Sequence, residues 1–330
     1  MNWKNKKVLV TGSDGFIGSH LVEELLRRGA DVRAFVYYNS FNHWGWLDTL
    51  PGSMRKKIQV FSGDIRDPNG VMEAVKGMDT VFHLAALIGI PFSYNSPDSY
   101  VDTNIKGTLN VLQAARNWSI RKLVHTSTSE VYGTAQYAPI DEDHPINPQS
   151  PYAATKSAAD SLALSFYRSF DFPVTILRPF NTFGPRQSAR AIIPTIITQI
   201  CSGQKVIRLG NLDAKRDLNY VRNTVDAFIQ VAEEKDTNGQ VFNTGSGVEI
   251  SIKELADMIQ SILGRKVRIR VDQQRLRPVK SEVGRLICDA SKIHSVCGWK
   301  GRKTMQEGLK LTCDWIKANL DRYKTDIYNI

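Results

Sequence analysis

Thr128-Ser129-Glu130 and, downstream, Tyr152 and Lys156 are the residues whose types and spacing best suit chemistry. Tyr152 and Lys156 stand four apart, so on a helix they share one face about one turn apart. An ammonium beside a phenol stabilises the phenolate and lowers its pKa. A lowered phenol takes a proton from an alcohol, such as a sugar hydroxyl, near neutral pH. Glu130 adds what simple alcohol oxidation does not need: a carboxylate that can remove a proton from the carbon next to a new ketone. The competing readings are a surface pair for Tyr152 and Lys156, a capping or ion-paired carboxylate for Glu130, and strand-end hydrogen bonding for Ser129.

YxxxK alone is a weak pattern, and it gains weight from the turn that opens the chain. Thr11-Gly12-Ser13-Asp14-Gly15-Phe16-Ile17-Gly18 has GxxGxxG spacing. It lies between an apolar strand at residues 7–10 and a helical pattern at residues 16–28 that Gly29 stops. Glycines permit the tight turn and let a pyrophosphate approach the backbone. The helix start then offers unpaired N–H groups and a positive dipole end. A dinucleotide site is therefore expected on Gly12, Asp14, Gly15, Phe16, Ile17 and Gly18. Tyr37 and Asn39 are expected to join it after the second strand, and Asp64 and Ile65 after the third. Leu84, Ala85 and Ala86 follow the fourth strand, Pro179 ends a later one, and Tyr152 and Lys156 complete the set. Asp64 suits a hydrogen bond from the adenine amino group, or else a helix N-cap. The second strand ends in Val36-Tyr37-Tyr38-Asn39-Ser40, with neither the carboxylate usual for NAD nor an arginine for a 2′-phosphate. NAD and NADP both stay open as a tightly bound, recycled cofactor.

The elements that must position these residues alternate. Strands are predicted at residues 31–36, 58–61, 80–84, 122–127 and 174–177, and helices at 102–118 and 152–170. Such alternation implies an α/β, Rossmann-like doubly wound parallel sheet covered on both faces. Residues 1–178 read as the dinucleotide-binding domain and 179–330 mainly as a smaller substrate-binding lobe, the chain crossing between lobes more than once. The chain shows no internal repeat, low-complexity segment or Pro/Ser-rich linker.

Composition narrows the function classes. The 330 residues carry 43 Lys and Arg against 33 Asp and Glu, a net charge of +10. The basic residues are spread out, without an arginine-rich tract, so no nucleic-acid partner is expected. No apolar run reaches the ~18–20 residues that span a membrane. Met1-Asn2-Trp3-Lys4 carries no leader-like apolar region, so a cytoplasmic protein is expected. Cys201, Cys288, Cys297 and Cys313 lack CxxC spacing, and the six histidines lack HxxxH or HExxH pairing, so no metal site is expected.

Taken together these motifs resemble the extended short-chain dehydrogenase/reductases, specifically the nucleotide-sugar epimerases and dehydratases. The resemblance covers most of the chain. It rests on the glycine turn, His83-Leu84-Ala85-Ala86, Asn104-Ile105-Lys106-Gly107-Thr108, Tyr152 with Lys156, Arg178-Pro179-Phe180-Asn181 and Gly184-Pro185-Arg186. Within the family the chain is most similar to the retaining UDP-N-acetylglucosamine 4,6-dehydratases of legionaminic-acid-type pathways. Trp44-Gly45-Trp46-Leu47, Thr128 through Gly133 and Ser188 through Pro194 carry that likeness. It implies a nucleotide-diphosphate sugar substrate held by Asn181, Arg190, Arg216 and Arg277. It also implies a homodimer through a four-helix interface, to which the apolar faces of helices 102–118 and 152–170 are suited.

The implied reaction is oxidation at C4 with Tyr152 as base, loss of the C5 proton to Glu130, departure of water from C6, and hydride return to C6. Sugar 4,6-dehydratases generally carry Thr-Asp-Glu where this chain has Thr128-Ser129-Glu130, so the usual acid for the leaving hydroxyl is missing. Serine before glutamate also resembles the UDP-glucuronate decarboxylases. A decarboxylase and a 4-epimerase thus remain alternatives on the same scaffold. A non-catalytic dinucleotide-binding sensor is an alternative of another class, although it would not need Tyr152, Lys156 and Glu130 together.

Overall fold

The structure, a computed structural model, describes residues 3–325, 327 and 328. Met1 and Asn2, part of the opening segment discussed above, lie outside the described residues. Its frame is a seven-stranded sheet. The strands are β1 (Lys7–Thr11), β2 (Asp31–Tyr37), β3 (Gln59–Gly63), β4 (Thr80–His83), β5 (Lys122–Thr126), β6 (Val174–Pro179) and a last strand, Val241–Thr244. Their spatial order is Val241–Thr244, β6, β5, β4, β1, β2, β3, with every pairing parallel. Continuous apolar runs such as Val8-Leu9-Val10, all buried, suit strands covered on both faces. The order reverses between β1 and β4, which opens a crevice beyond their carboxyl ends. Thr11 of β1 lies opposite both Phe35 of β2 and His83 of β4, so the glycine turn begins in that crevice.

Two features of the chain's course bear on the site. The helix expected over 102–118 has two parts, a π-helical stretch Val101–Lys106 and an α-helix Gly107–Asn117. The wide turn points Asn104 inward, where its amide accepts from Leu87 N–H at 2.9 Å and donates to Leu87 C=O at 3.0 Å and Thr155 Oγ1 at 3.1 Å. Single π turns of this sort gather at functional sites. The second feature is at the sheet edge. Val241–Thr244 pairs with β6, Val241 opposite Ile176 and Thr244 opposite Pro179, so the chain returns to the sheet well after residue 178.

The remaining residues build small sheets. Val206–Leu209 pairs with Arg268–Val271, Lys215–Asp217 with Glu249–Ser251 and Arg285–Leu286, and Thr182–Phe183 with Asn219–Tyr220. One apolar core joins them to the central sheet. It runs from Val8 and Val10 through Val225 and Phe228 to Ile193, Ile196, Leu255 and Leu309. No helix among the described residues is long and apolar enough to cross a membrane.

Candidate active site

Two glycines of the turn, Gly12 and Gly18, are packed too closely for side chains, and Gly15 is tight. Gly12 has φ +66°, and a Cβ there would stand 2.8 Å from Ala85 N. A Cβ on Gly18 would overlap the Gly12 carbonyl oxygen, and one on Gly15 would sit 3.2 Å from it. Thr11 Oγ1 draws the β4 end onto this turn by accepting the N–H groups of Leu84 and Ala85, each at 3.0 Å. The helix Phe16–Arg27 starts at Gly15 with no side-chain cap, so its first N–H groups point into the crevice without a side-chain partner. This cradle fits a dinucleotide pyrophosphate. Gly18→Ala is expected to lower stability by about 3 kcal/mol, because backbone rather than a flexible side chain would have to move. It should also abolish retention of dinucleotide, checked by a thermal melt and by mass spectrometry of the nucleotide released on denaturation.

The other expected cofactor residues line the same end of the sheet. Leu84, Ala85 and Ala86 are half-buried after β4, Ile65 packs under Gly107, and Pro179 closes β6. Asp64 is held by Arg66 at 2.5 Å, and the cap of the following helix is Asp67, not Asp64. Tyr37 is 58 % exposed. Asn39 is spent on its own loop: Nδ2 donates to His43 C=O at 2.8 Å and Oδ1 accepts Phe41 N–H at 3.1 Å.

The expected catalytic residues converge. Ser150 caps the helix Pro151–Phe170 by accepting Ala153 N–H, which puts Tyr152 in the first turn. Tyr152 and Lys156 then lie on one buried face, 8 % and 3 % exposed. Thr128 caps the short helix Ser129–Tyr132 by accepting Glu130 N–H, and its hydroxyl lies close enough to the Tyr152 phenol to favour the phenolate. Ser129 is buried beside it. The Glu130 carboxylate lies close enough to disfavour a second negative charge on Tyr152. The Tyr100 ring meets the Tyr152 ring edge-on at 6.3 Å.

The electrostatics correct one expectation from the spacing. In the protein alone the Tyr152 phenol is pushed up rather than lowered, because burial outweighs the influence of the neighbouring Thr128 hydroxyl. Burial also brings Lys156 down from 10.5 to about 8, against the pull of Asp160 one turn further on. Asp160 is the hub of a buried network. Its Oδ2 accepts from Ser127 Oγ at 2.7 Å and Arg178 Nε at 3.1 Å. His125 Nε2 lies 3.4 Å from Oδ1, and Arg178 donates to the Tyr132 hydroxyl at 2.8 Å. Burial opposes ionisation of Asp160, but His125, Arg178 and Ser127 together hold its pKa below the ordinary value.

A pH prediction follows from Lys156. Its ammonium is present below about pH 8 and lost above it. The rate of any reaction that uses this charge is expected to fall as pH rises through about 8, read from a pH–rate profile. The sign for stability is opposite. The depressed amine makes burial of its charge a cost below about pH 8, and that cost is relieved as pH climbs towards 10.5.

The expected substrate residues are placed less uniformly. Arg190 reaches the catalytic edge, its Nη1 2.7 Å from where a Gly89 Cβ would stand, and its charge acts on Tyr100, whose hydroxyl donates to Gly89 C=O. Asn181 Nδ2 and Arg277 Nη1 are buried donors without a hydrogen-bond partner among the described residues. Arg216 is engaged already, donating to Glu282 at 2.9 Å and to Lys215 C=O at 2.9 Å. Two residues of the site escaped the sequence reading. Asp160 continues the four-residue series 152, 156, 160, a signal that was available. Tyr100 ends the short helix Pro97–Tyr100, whose sequence gives no such cue.

Comparisons with known proteins agree with this geometry. A family model described as GDP-mannose 4,6 dehydratase matches residues 9–312. A putative UDP-glucose 4-epimerase of Methanocaldococcus jannaschii is 32% identical over 318 residues, 94% of this chain and 99% of that protein. The solved UDP-N-acetylglucosamine 4-epimerase of Methanobrevibacter ruminantium, in complex with UDP-N-acetylmuramic acid, superposes with a TM-score of 0.86 at 31% identity, covering 96% and 99% of the two chains. The dTDP-glucose 4,6-dehydratase DesIV of Streptomyces venezuelae, with NAD bound, gives 0.85 at 28% identity over 96% and 98%.

Proposed function

We propose, from the premise that this chain belongs to the extended short-chain dehydrogenase/reductase family of nucleotide-sugar dehydratases and epimerases, that it is a nucleotide-sugar 4,6-dehydratase. UDP-N-acetylglucosamine is the substrate proposed first. The observation that carries the reading is Glu130, on the short helix that Thr128 caps, near enough for its charge to act on the Tyr152 phenol. A 4-epimerase inverts C4 alone and has no use for a base at the neighbouring carbon.

The dinucleotide, when bound, supplies the site that accepts hydride from the sugar and later returns it. The protein's residues supply the proton handling. Tyr152 removes the 4-hydroxyl proton, with Thr128 hydrogen-bonding the same oxygen. Lys156 lends the positive charge that the buried phenolate needs, and its pKa near 8 keeps that charge at neutral pH. The resulting 4-ketone acidifies the C5 hydrogen, and Glu130 takes it. Glu130 then delivers that proton to the departing 6-oxygen, which accounts for Ser129 in the place of the usual acid, and C5 regains a proton from solvent once C6 has been reduced. Each such proton transfer contributes about 10²–10⁴-fold. Asn181, Arg190 and Arg277 are proposed to hold the nucleotide diphosphate and sugar, guanidinium forks matching phosphate oxygens. Arg216 joins them if Glu282 releases it. A homodimer through the helices Gly107–Asn117 and Pro151–Phe170 is part of the same proposal.

The test is mass spectrometry after incubation with a panel of nucleotide sugars in D₂O. Loss of one water with deuterium at C5 supports the dehydratase. Loss of carbon dioxide from a uronic acid substrate marks a decarboxylase, and an isomeric product with its C5 hydrogen retained marks an epimerase. Either result would replace the proposal.

A further inference from the structure

We infer that Asp14, a residue of the glycine turn, makes the dinucleotide site selective for NAD over NADP. The inference rests on the reading of that turn as a dinucleotide site. In doubly wound nucleotide folds the adenosine ribose lies at the carboxyl end of the second strand, where an acidic side chain accepts the 2′-hydroxyl. Here β2 ends in Val36-Tyr37 with no acid. The next carboxylate along the chain, Asp48, is committed to Trp44 N–H at 2.9 Å.

The fold brings a carboxylate to the same place by another route. Asp14 Oδ2 accepts the backbone N–H of Tyr37, the last residue of β2, at 3.3 Å. The residue is locked in position. Its carbonyl accepts Trp46 N–H at 3.0 Å, and Gly45, at φ +56°, lies so close that a Cβ there would stand 2.5 Å from that carbonyl. The Trp44-Gly45-Trp46 segment therefore clamps Asp14 between the turn and the strand end. Among the described residues no strong cation offsets it. Arg66, which also approaches Tyr37, is held by Asp64 at 2.5 Å, and the other side chain acting on Asp14 is the His43 imidazole. Burial, the largest influence on the Asp14 carboxyl, favours its neutral form, and the hydrogen bond from Tyr37 opposes that. A ribose hydroxyl at this spot donates to the carboxylate. A 2′-phosphate brings about two further negative charges against it, with no arginine at that spot among the described residues except Arg66, which Asp64 holds.

The test measures dissociation constants of NAD and NADP on the full chain by titration calorimetry, with no substrate present. The wild type is expected to bind NAD about 100-fold more tightly than NADP, the size of a like-charge penalty in a partly buried site. Asp14→Asn keeps the shape and the bond to Tyr37 but removes the charge. Asp14→Ser removes both the charge and the bulk. Each is expected to shrink the preference by about tenfold or more, chiefly by tightening NADP. Equal affinities in the wild type would overturn the inference, as would an unchanged preference in folded Asp14→Asn and Asp14→Ser. The measurement is blind to the sugar chemistry, so its failure leaves the dehydratase reading standing. A failed product assay, equally, leaves the cofactor preference untouched.

Discussion

Tyr152→Phe is expected to lower kcat/KM by about 10³-fold or more while leaving the fold and dinucleotide binding intact. The phenol is buried, its ring packed edge-on against Tyr100 and its hydroxyl near that of Thr128. Phenylalanine keeps that packing and removes the one group placed to take the 4-hydroxyl proton. Thr128 cannot replace it, since an alcohol is a far weaker base than a phenolate. The check is steady-state kinetics alongside a melting curve and the measured nucleotide content. A kcat close to wild type with an unchanged melt would sink the assignment of Tyr152 as base.

Glu130→Gln is expected to separate the reaction into halves. The amide keeps the size of the side chain and loses the base. It also removes a negative charge that disfavours ionised Tyr152, so oxidation at C4 should proceed at least as readily as before. Elimination should slow by about 10²–10⁴-fold. Reduced nicotinamide should therefore build up, visible in the near-ultraviolet, on addition of the nucleotide sugar, whereas the wild type shows none at steady state. Solvent deuterium should no longer enter C5. Normal turnover by the variant, with deuterium still absent from C5, would transfer the chain to the epimerase reading.

What was legible in the sequence was whatever depends on neighbours along the chain. The glycine spacing gave the turn, since close backbone contact leaves no alternative residue at Gly12 or Gly18. The four-residue step from Tyr152 to Lys156 gave a shared helical face. The apolar runs gave the strands to within a residue or two. What was not legible depends on elements meeting across space. Asp14 and Tyr37 touch only because β1 and β2 pair in register. The Asp160 network joins β5, β6 and the helix Pro151–Phe170. Asn104 turns inward because the helix there widens into a π turn, which no apolar period announces. That residues 241–244 join the central sheet is a matter of topology.

That late strand bears on how the protein is made. Ribosomal synthesis delivers β1 through β6, with the whole nucleotide cradle, before Val241–Thr244 has emerged. In the interval β6 is an unguarded sheet margin, Ile176 and Leu177 among its residues, open to pairing with another nascent chain. The neighbouring buried groups wait for the same event: the Tyr132 hydroxyl donates to Asn243 at 2.8 Å, and Glu142 accepts the Asn243 N–H. Maturation of the interior behind Tyr152 and Lys156 is thereby tied to the arrival of a segment remote from both in the message. A nascent chain stalled ahead of it carries the reactive tyrosine and lysine without the finished scaffold behind them.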